Sequence, residues 1–384
     1  MALDTFLKSR YILYRKKAFF RKIDMRLKES EIIGQLQSAI DKYAPLTIKS
    51  IEQEIPLTEG FRADAIIEFC IAEGPCFKAL IEIKTVATPK IISQAAQQLM
   101  AYLRRIDDKT IVPVIVVPYM GTEQTKMLQR EGISWIDLCG NMVIRVQNRV
   151  YIERTGIRNQ FPDTSPIKKI FEGTSSLVSR ALLLKKEPFR SLYEVVNFIN
   201  ERGGNITLST VSKVLSLLEE GLLITKTEAG ISVTNRGKLL EGILEGYVSY
   251  TKRNKNNIYT YDVDNINDLF VAFYESQVNY VVCGFYAARI KGLAATDRAT
   301  VFIESINEAR KAFERNPANI KPDTEFGRLD LIETRNSCVW FNMKGKPLTN
   351  IVDDLELYLE MMIDTPRGPK IAEMLKERIL KGQE

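Results

Sequence analysis

The spacing of apolar residues predicts an ordered run of elements in the first part of the chain. SEIIGQLQSAIDKY (30–43) repeats its apolar positions at helical intervals, and Ser30 is the expected N-cap. LTIKSIEQEI (46–55) alternates like a half-buried strand. The stretch FRADAIIEFCIAEGPCFKALIEIKTVATPKIISQAAQQLMAY (61–102) holds two short apolar runs and then a helix, opened by Thr88-Pro89. TIVPVIVVP (110–118) has the continuous apolar character of a buried strand. The expected order is helix, three strands, helix, strand. Residues 121–154 add a helix, a short strand, a Gly140-Asn141 turn and a hairpin closed near Gln147.

Turn formers in TGIRNQFPDTSP (155–166) predict a linker. Beyond it, helices are expected at 179–187, 191–204 and 207–223, with Ser209 able to cap the third and Gly203-Gly204 ending the second. ITKTEAGISVTNRGKLL (224–240) predicts two short strands around Glu228-Ala229-Gly230. TKRNKNN (251–257) is a basic break, and 258–384 mixes helices and strands. The fold class expected is α/β, divided into 1–155, 166–246 and 258–384.

Composition narrows the chemistry. The chain has 384 residues, a net charge of +6 and a pI near 8.9, which suits a nucleic-acid partner without requiring one. It contains no histidine, which excludes Ser-His and Cys-His catalysis and histidine-ligated zinc. Five scattered cysteines without CxxC spacing argue for a reducing compartment and against a disulfide framework. No apolar run approaches the ~20 residues of a membrane span, so a cytoplasmic protein is expected. Residues 4–28 interleave basic and aromatic side chains; they suit phosphate contact and base stacking, or an amphipathic helix with its aromatics in a core.

Candidate chemistry centres on Asp64 and on Glu82-Ile83-Lys84. Strand side chains alternate faces, so Glu82 and Lys84 share a face and Ile83 points to the other. Two carboxylates and an ammonium at one end of a sheet suit Mg2+ or Mn2+, hard cations held by oxygen. Lys84 is placed to orient water or to neutralise developing charge. On the next helix, Gln98 and Tyr102 are four residues apart and share a face. This series resembles the PD-(D/E)XK nucleases, with Gln98 and Tyr102 similar to the motif of their RecB-like branch. Ala63 stands where the family usually has proline. The resemblance implies a restriction-endonuclease-like mixed sheet, a catalytic set of Asp64, Glu82, Lys84, Gln98 and Tyr102, and a metal on Asp64 and Glu82. An isolated Glu-x-Lys pair is equally a solvated pair at a sheet edge.

The segment 166–246 resembles a winged helix-turn-helix. Ser209, Thr210, Ser212 and Lys213, near the start of its third helix, would enter the major groove, and Lys226 and Arg236 would hold phosphates from the wing. The segment carries 11 Lys/Arg against 9 Asp/Glu, so charge alone does not separate a DNA reader from a protein-binding module. Gly132-Ile133-Ser134-Trp135-Ile136-Asp137-Leu138 with Gly140-Asn141 resembles a stretch of AbiEi-type antitoxins of type IV toxin–antitoxin systems. On that likeness Asp137 and Asn141 border the cleft, although simple turn chemistry also accounts for Gly140-Asn141. Residues 258–384 resemble a degenerate nucleotidyltransferase domain. Phe285 follows Gly284 and ATVFIES offers only Glu304, so this domain is expected to be inactive and to bind a partner, with Arg367 and Lys370 as contacts.

Three functions follow as expectations. The first is a metal-dependent nuclease on double-stranded DNA, targeted by the winged helix, in phage defence or a mobile element. The second is a non-enzymatic antitoxin and autoregulator that binds promoter DNA and a cognate toxin through 258–384. The third is an interaction scaffold. A homodimer is expected of a protein that reads palindromes.

Overall fold

The computed structural model describes residues 27–384 except 59–60, 73, 107, 109, 148, 162–167, 316–319, 324–326, 347–348, 364–366 and 382–384. The basic stretch at 4–28 therefore lies almost wholly outside the described residues. The chain divides into two compact units, Met1–Pro166 and Ile167–Glu384. The segments 166–246 and 258–384 lie together in the second.

The first unit is built on a mixed seven-stranded sheet whose strands follow chain order: β1 (Leu46–Thr58), β2 (Phe61–Ile71), β3 (Cys76–Ile83), β4 (Val112–Val117), β5 (Ser134–Asp137), β6 (Met142–Val146) and β7 (Val150–Arg154). Strands β1–β3 are antiparallel, β3–β5 parallel and β5–β7 antiparallel. The parallel steps need crossovers, supplied by α2 (Pro89–Leu103) and α3 (Thr122–Glu131). A further helix, α1 (Glu29–Ser38), precedes the sheet. It starts at Glu29 rather than after Ser30, because the Glu31 carboxylate accepts from the Lys28 amide at 2.8 Å and closes the first turn.

Alternation along the strands builds two cores. On one face Ile32, Ile33 and Leu36 of α1 pack with Ala65, Ile67, Phe69, Ile81 and Ile83. On the other Ile92, Ala95, Ala96 and Leu99 of α2 pack with Leu80, Ile115 and Val117. Each side chain on α2's apolar stripe adds roughly 1–3 kcal/mol of burial. The helix opens as its sequence suggests: Thr88 Oγ1 accepts from the Ile91 amide at 3.3 Å and Pro89 fills the first position.

Two expectations are corrected in this unit. Cys70 and Cys76 form a disulfide, because the β2–β3 register sets them directly opposite each other. Cys139, Cys283 and Cys338 are free and buried. Asp137 and Asn141 are fastened into the turn and do not border a cleft. The fully buried Asp137 carboxylate accepts from the amides of Met120, Cys139 and Asn141 at 3.2, 3.0 and 2.9 Å and from Asn141 Nδ2 at 2.9 Å. Asn141 in turn exchanges two hydrogen bonds with the Ile157 backbone. With both oxygens so engaged, Asp137 ties β4, β5 and β6 together.

The second unit opens with α4 (Ser176–Leu184), α5 (Leu192–Asn200) and α6 (Leu208–Glu220), then the hairpin β8 (Ile224–Thr227) and β9 (Gly230–Val233). Phe189 forms a bridge to Ile231 at the hairpin's edge. Helix α7 (Arg236–Arg253) takes in the first three residues of the basic stretch expected to break the chain, and the break itself is confined to 254–256. A second mixed sheet follows, ordered β13 (Ile320–Pro322), β10 (Asn257–Val263), β14 (Leu329–Glu333), β12 (Ala299–Ile303), β11 (Tyr280–Cys283), β16 (Thr349–Ile351) and β15 (Lys344–Lys346). Its helices are α8 (Ile266–Glu275), α9 (Gly284–Ile290), α10 (Ile306–Arg315), α11 (Asp354–Ile363) and α12 (Gly368–Lys381). One continuous core runs from Ile170 to Ile379, uniting the helical segment with the sheet.

Asp137→Ala orphans three buried amides and should destabilise the first unit by roughly 3–5 kcal/mol. The measurement, in a Trp340→Phe background, is the urea midpoint followed by Trp135 fluorescence; a loss below 1 kcal/mol would contradict this role.

Candidate functional site

Asp64 and Glu82 lie on neighbouring strands near the end of the β2–β3 ladder, one residue beyond the Ala65–Ile81 pair. Asp64 Oδ2 accepts from the Ile83 amide at 2.6 Å, which draws the aspartate across onto β3. Glu82 shares the parity of Leu80, whose face α2 covers, and is only 1% exposed. Lys84 leaves the strand while its amide still donates to Val116 O at 3.0 Å. Its half-buried ammonium meets Glu82 Oε1 at 2.5 Å. The other oxygen, Glu82 Oε2, is buried without a hydrogen-bond partner.

An orphaned carboxylate oxygen at this depth is costly in its ionised form. Burial is the main reason that the Glu82 carboxyl is pushed up to about 7, with the charges of Asp64 and Glu29 adding to it and Lys84 opposing. Burial pulls the Lys84 ammonium down, but its bond to Glu82 and the charges of Glu82, Asp64 and Glu29 more than reverse this, so its pKa is raised.

Glu29 is the functional candidate that sequence reasoning missed. It stands in the first turn of α1, and its pKa is raised by partial burial and then by Asp64, with Lys84 lowering it. A signal existed in the acidic start of ESEIIGQLQ, but an acid in a first turn is ordinary dipole chemistry. Only the packing of α1 brings it near β2 and β3.

Glu82 Oε2 and Asp64 fit a hard divalent cation: both offer oxygen, and one oxygen is otherwise unpartnered. Among the described residues, no group of three or more Cys, Asp or Glu side chains gathers as a metal site. Mg2+ commonly takes one or two carboxylates and fills its remaining positions with water and phosphate. The side chain of Glu54, a further ligand candidate at the end of the first strand, lies outside the described residues.

Gln98 and Tyr102 meet as their spacing requires, with Gln98 Nε2 donating to Tyr102 Oη at 2.6 Å. Tyr102 is buried and Gln98 half-buried, on the helix covering the face that bears Glu82. In the second unit, Ser209 and Lys213 are exposed and Thr210 and Ser212 half-buried, all in the first two turns of α6. The cap of α6 is Thr207 rather than Ser209; its hydroxyl accepts from the Thr210 amide, and Ser209 Oγ lies 3.1 Å from it. Lys226 pairs with Glu219 of α6 at 2.9 Å. Arg236 turns inward: its Nη2 donates to the carbonyls of Leu183 and of Ile379, the latter at 3.1 Å, and burial lowers its pKa. Its guanidinium thus caps the ends of α4 and α12. Arg367 is exposed and stacks over the Phe285 ring at 4.7 Å. No helix among the described residues is long and apolar enough to cross a membrane.

No family model matches the chain, and no curated protein matches it. Among solved structures it is similar to a repair endonuclease from Pyrococcus abyssi, at 17% identity and a TM-score of 0.23, over 30% of this chain and 48% of that one. It is also similar to EndoMS without ligand, at 13% identity and a TM-score of 0.21, and in complex with double-stranded DNA, at 14% and 0.23. The chain spans about half the length of these structures. Likeness of this extent adds no argument to the geometry above.

The buried state of Glu82 has a measurable consequence. Its folded pKa lies above the ordinary carboxylate value, so the stability due to its neutral form is complete below that value and is lost as pH rises through about 7. Glu82→Gln keeps the neutral shape. It should stabilise the first unit at pH 8 by roughly 2–3 kcal/mol and leave it unchanged at pH 4, as read by urea titration. Equal midpoints for the two proteins at pH 8 would refute this account of Glu82.

Proposed function

We propose that this chain is a metal-dependent DNA endonuclease of the PD-(D/E)XK type. The observation that carries this reading is the Glu82 carboxylate: nearly inaccessible, paired through one oxygen to Lys84, and unpartnered at the other beside Asp64. The free oxygen lies beside a second carboxylate, that of Asp64, and this pair of oxygens is what a divalent cation would take.

In this mechanism Asp64 and Glu82 would hold Mg2+ or Mn2+, which when bound would supply Lewis-acid stabilisation of charge on a phosphodiester. The carboxylate form of Glu82 would be the ligand, and that form becomes available as pH rises through about 7. The Ile83 amide holds Asp64 in place, and the Lys84 backbone bond to Val116 anchors the ammonium at the end of β3. Lys84 keeps its positive charge beside the site and compensates negative charge that develops there. Gln98 and Tyr102, held to one another, brace the covering helix or meet the DNA backbone.

Residues 166–246 act as a winged helix in this reading. The order of three helices and a hairpin supports it, as does a third helix whose first turns present Ser209, Thr210, Ser212 and Lys213. Lys226 reaches phosphate only by leaving Glu219. Double-stranded DNA is the partner, and a homodimer in the cytoplasm is the form proposed.

The antitoxin and autoregulator reading, with a toxin bound through 258–384, rests on the same exposed face of α6. It requires DNA binding without cleavage and leaves the arrangement at Glu82 unexplained.

The deciding experiment incubates plasmid and linear duplex DNA with Mg2+ or Mn2+. Wild type should cut both; Glu82→Ala should abolish cleavage and Lys84→Ala should reduce it on the order of 100- to 1000-fold, with DNA binding retained. Binding without cleavage, unchanged in both variants, favours the regulator. Separately, Lys213→Ala should weaken duplex binding and lower the slope of log affinity against log salt by about one. An unaltered slope removes α6 from the DNA contact.

A further inference from the structure

The second unit contains a buried polar cluster that the nuclease reading does not use. Arg180 of α4, 2% exposed, donates from Nη1 to Glu356 Oε2 of α11 at 2.6 Å. Asp353, at the start of α11, accepts from the Glu356 amide at 2.7 Å and from Asn342 Nδ2 at 3.4 Å. Glu360, one turn after Glu356, accepts from the Gly284 amide at 2.8 Å. Three buried atoms here have no partner: Arg180 Nε, Glu356 Oε1 and Glu360 Oε1. Three carboxyl groups thus share a single guanidinium.

We propose that this cluster is a proton-dependent latch between the helical segment 166–246 and the sheet segment 258–384, closing with uptake of protons and loosening as the solution becomes alkaline. The charge balance requires it. If all three acids ionised, two negative charges would remain uncompensated in a dry core, a cost of several kcal/mol per charge that protonation removes. The other groups facing the cluster do not supply the missing charge. They are Tyr247 from α7, Cys283 from β11 and Cys338 from the turn 337–340, all held neutral, and Ser176 from α4. Burial pushes Asp353 up to about 6, against Arg180. Burial, reinforced by Glu356, raises Glu360 well above the ordinary carboxylate range.

The sign follows from these directions. Both folded pKa values exceed the unfolded ones, so the stability is complete below the ordinary carboxylate range and is lost as pH rises through about 6 and above. The latch concerns association of the two segments and is independent of catalysis at Glu82.

The test uses the full chain with Trp135→Phe, leaving Trp340 as the only tryptophan, and Glu82→Gln to silence the first unit's own buried acid. The folding constant of the second unit, from urea titration of Trp340 fluorescence, should fall at least tenfold per pH unit between pH 5 and 7, since each proton bound only on folding contributes a factor of ten. Adding Asp353→Asn and Glu360→Gln, which keep the neutral shapes, should flatten the profile. A flat profile in the parent, or an equally steep one in the Asn/Gln variant, overturns the proposal. Should that variant fail to fold, amide exchange of the 176–184 and 354–363 peptides in the parent decides. Protection corrected for intrinsic rate must fall together in both peptides as pH rises, and constant protection would refute the latch.

Discussion

The candidate site of the first unit is set by the burial of one carboxylate. Glu82 sits on a strand whose alternate residues fill two cores, with Ile81 and Ile83 against α1 and Leu80 beneath α2. Position 82 must then point at the α2 side, where hydrocarbon would otherwise be expected. The chain accommodates the acid there by ending the strand at once, bringing Lys84 to one oxygen and setting Asp64 alongside through the Ile83 amide. A buried ion pair is weak evidence for stability, because desolvation offsets the attraction. Here the pair satisfies only one of the two carboxylate oxygens, and the other stays without a partner.

The surrounding structure fixes the strand ends around this arrangement. The parallel β3–β4–β5 core is covered on one side by α2, whose Thr88 cap and Pro89 fix where the helix begins. Asp137 gathers three amides and a carboxamide at the end of β5 and so fixes the turn into β6. These bonds hold strand ends in register, and register decides which face every side chain meets. The second unit shows the opposite use of buried charge. Its acids outnumber the available guanidinium, and the cluster joins segments 176 residues apart in sequence.

Much of the first unit was legible from local pattern. Period-two alternation, a continuous apolar run and a capped apolar stripe each have one favourable backbone form, so strands β1–β4 and helix α2 follow from them. The Glu82–Lys84 contact and the Gln98–Tyr102 bond are also local, being fixed by i to i+2 and i to i+4 geometry. Less was legible where neighbours in space decide. The Cys70–Cys76 pair required the hairpin register, and the loss of Asp137 as a cleft residue required the amides that surround it.

The sequence by itself determined which residues have strand or helix periodicity, and hence that Glu82 and Lys84 share a face. Only the tertiary structure decided how deep that face lies, that Glu29 approaches it, and that Arg236 turns from the surface to cap two helix ends. The physical reason is range: backbone preference and side-chain alternation act over a few residues, whereas desolvation and charge act between groups that only packing brings together.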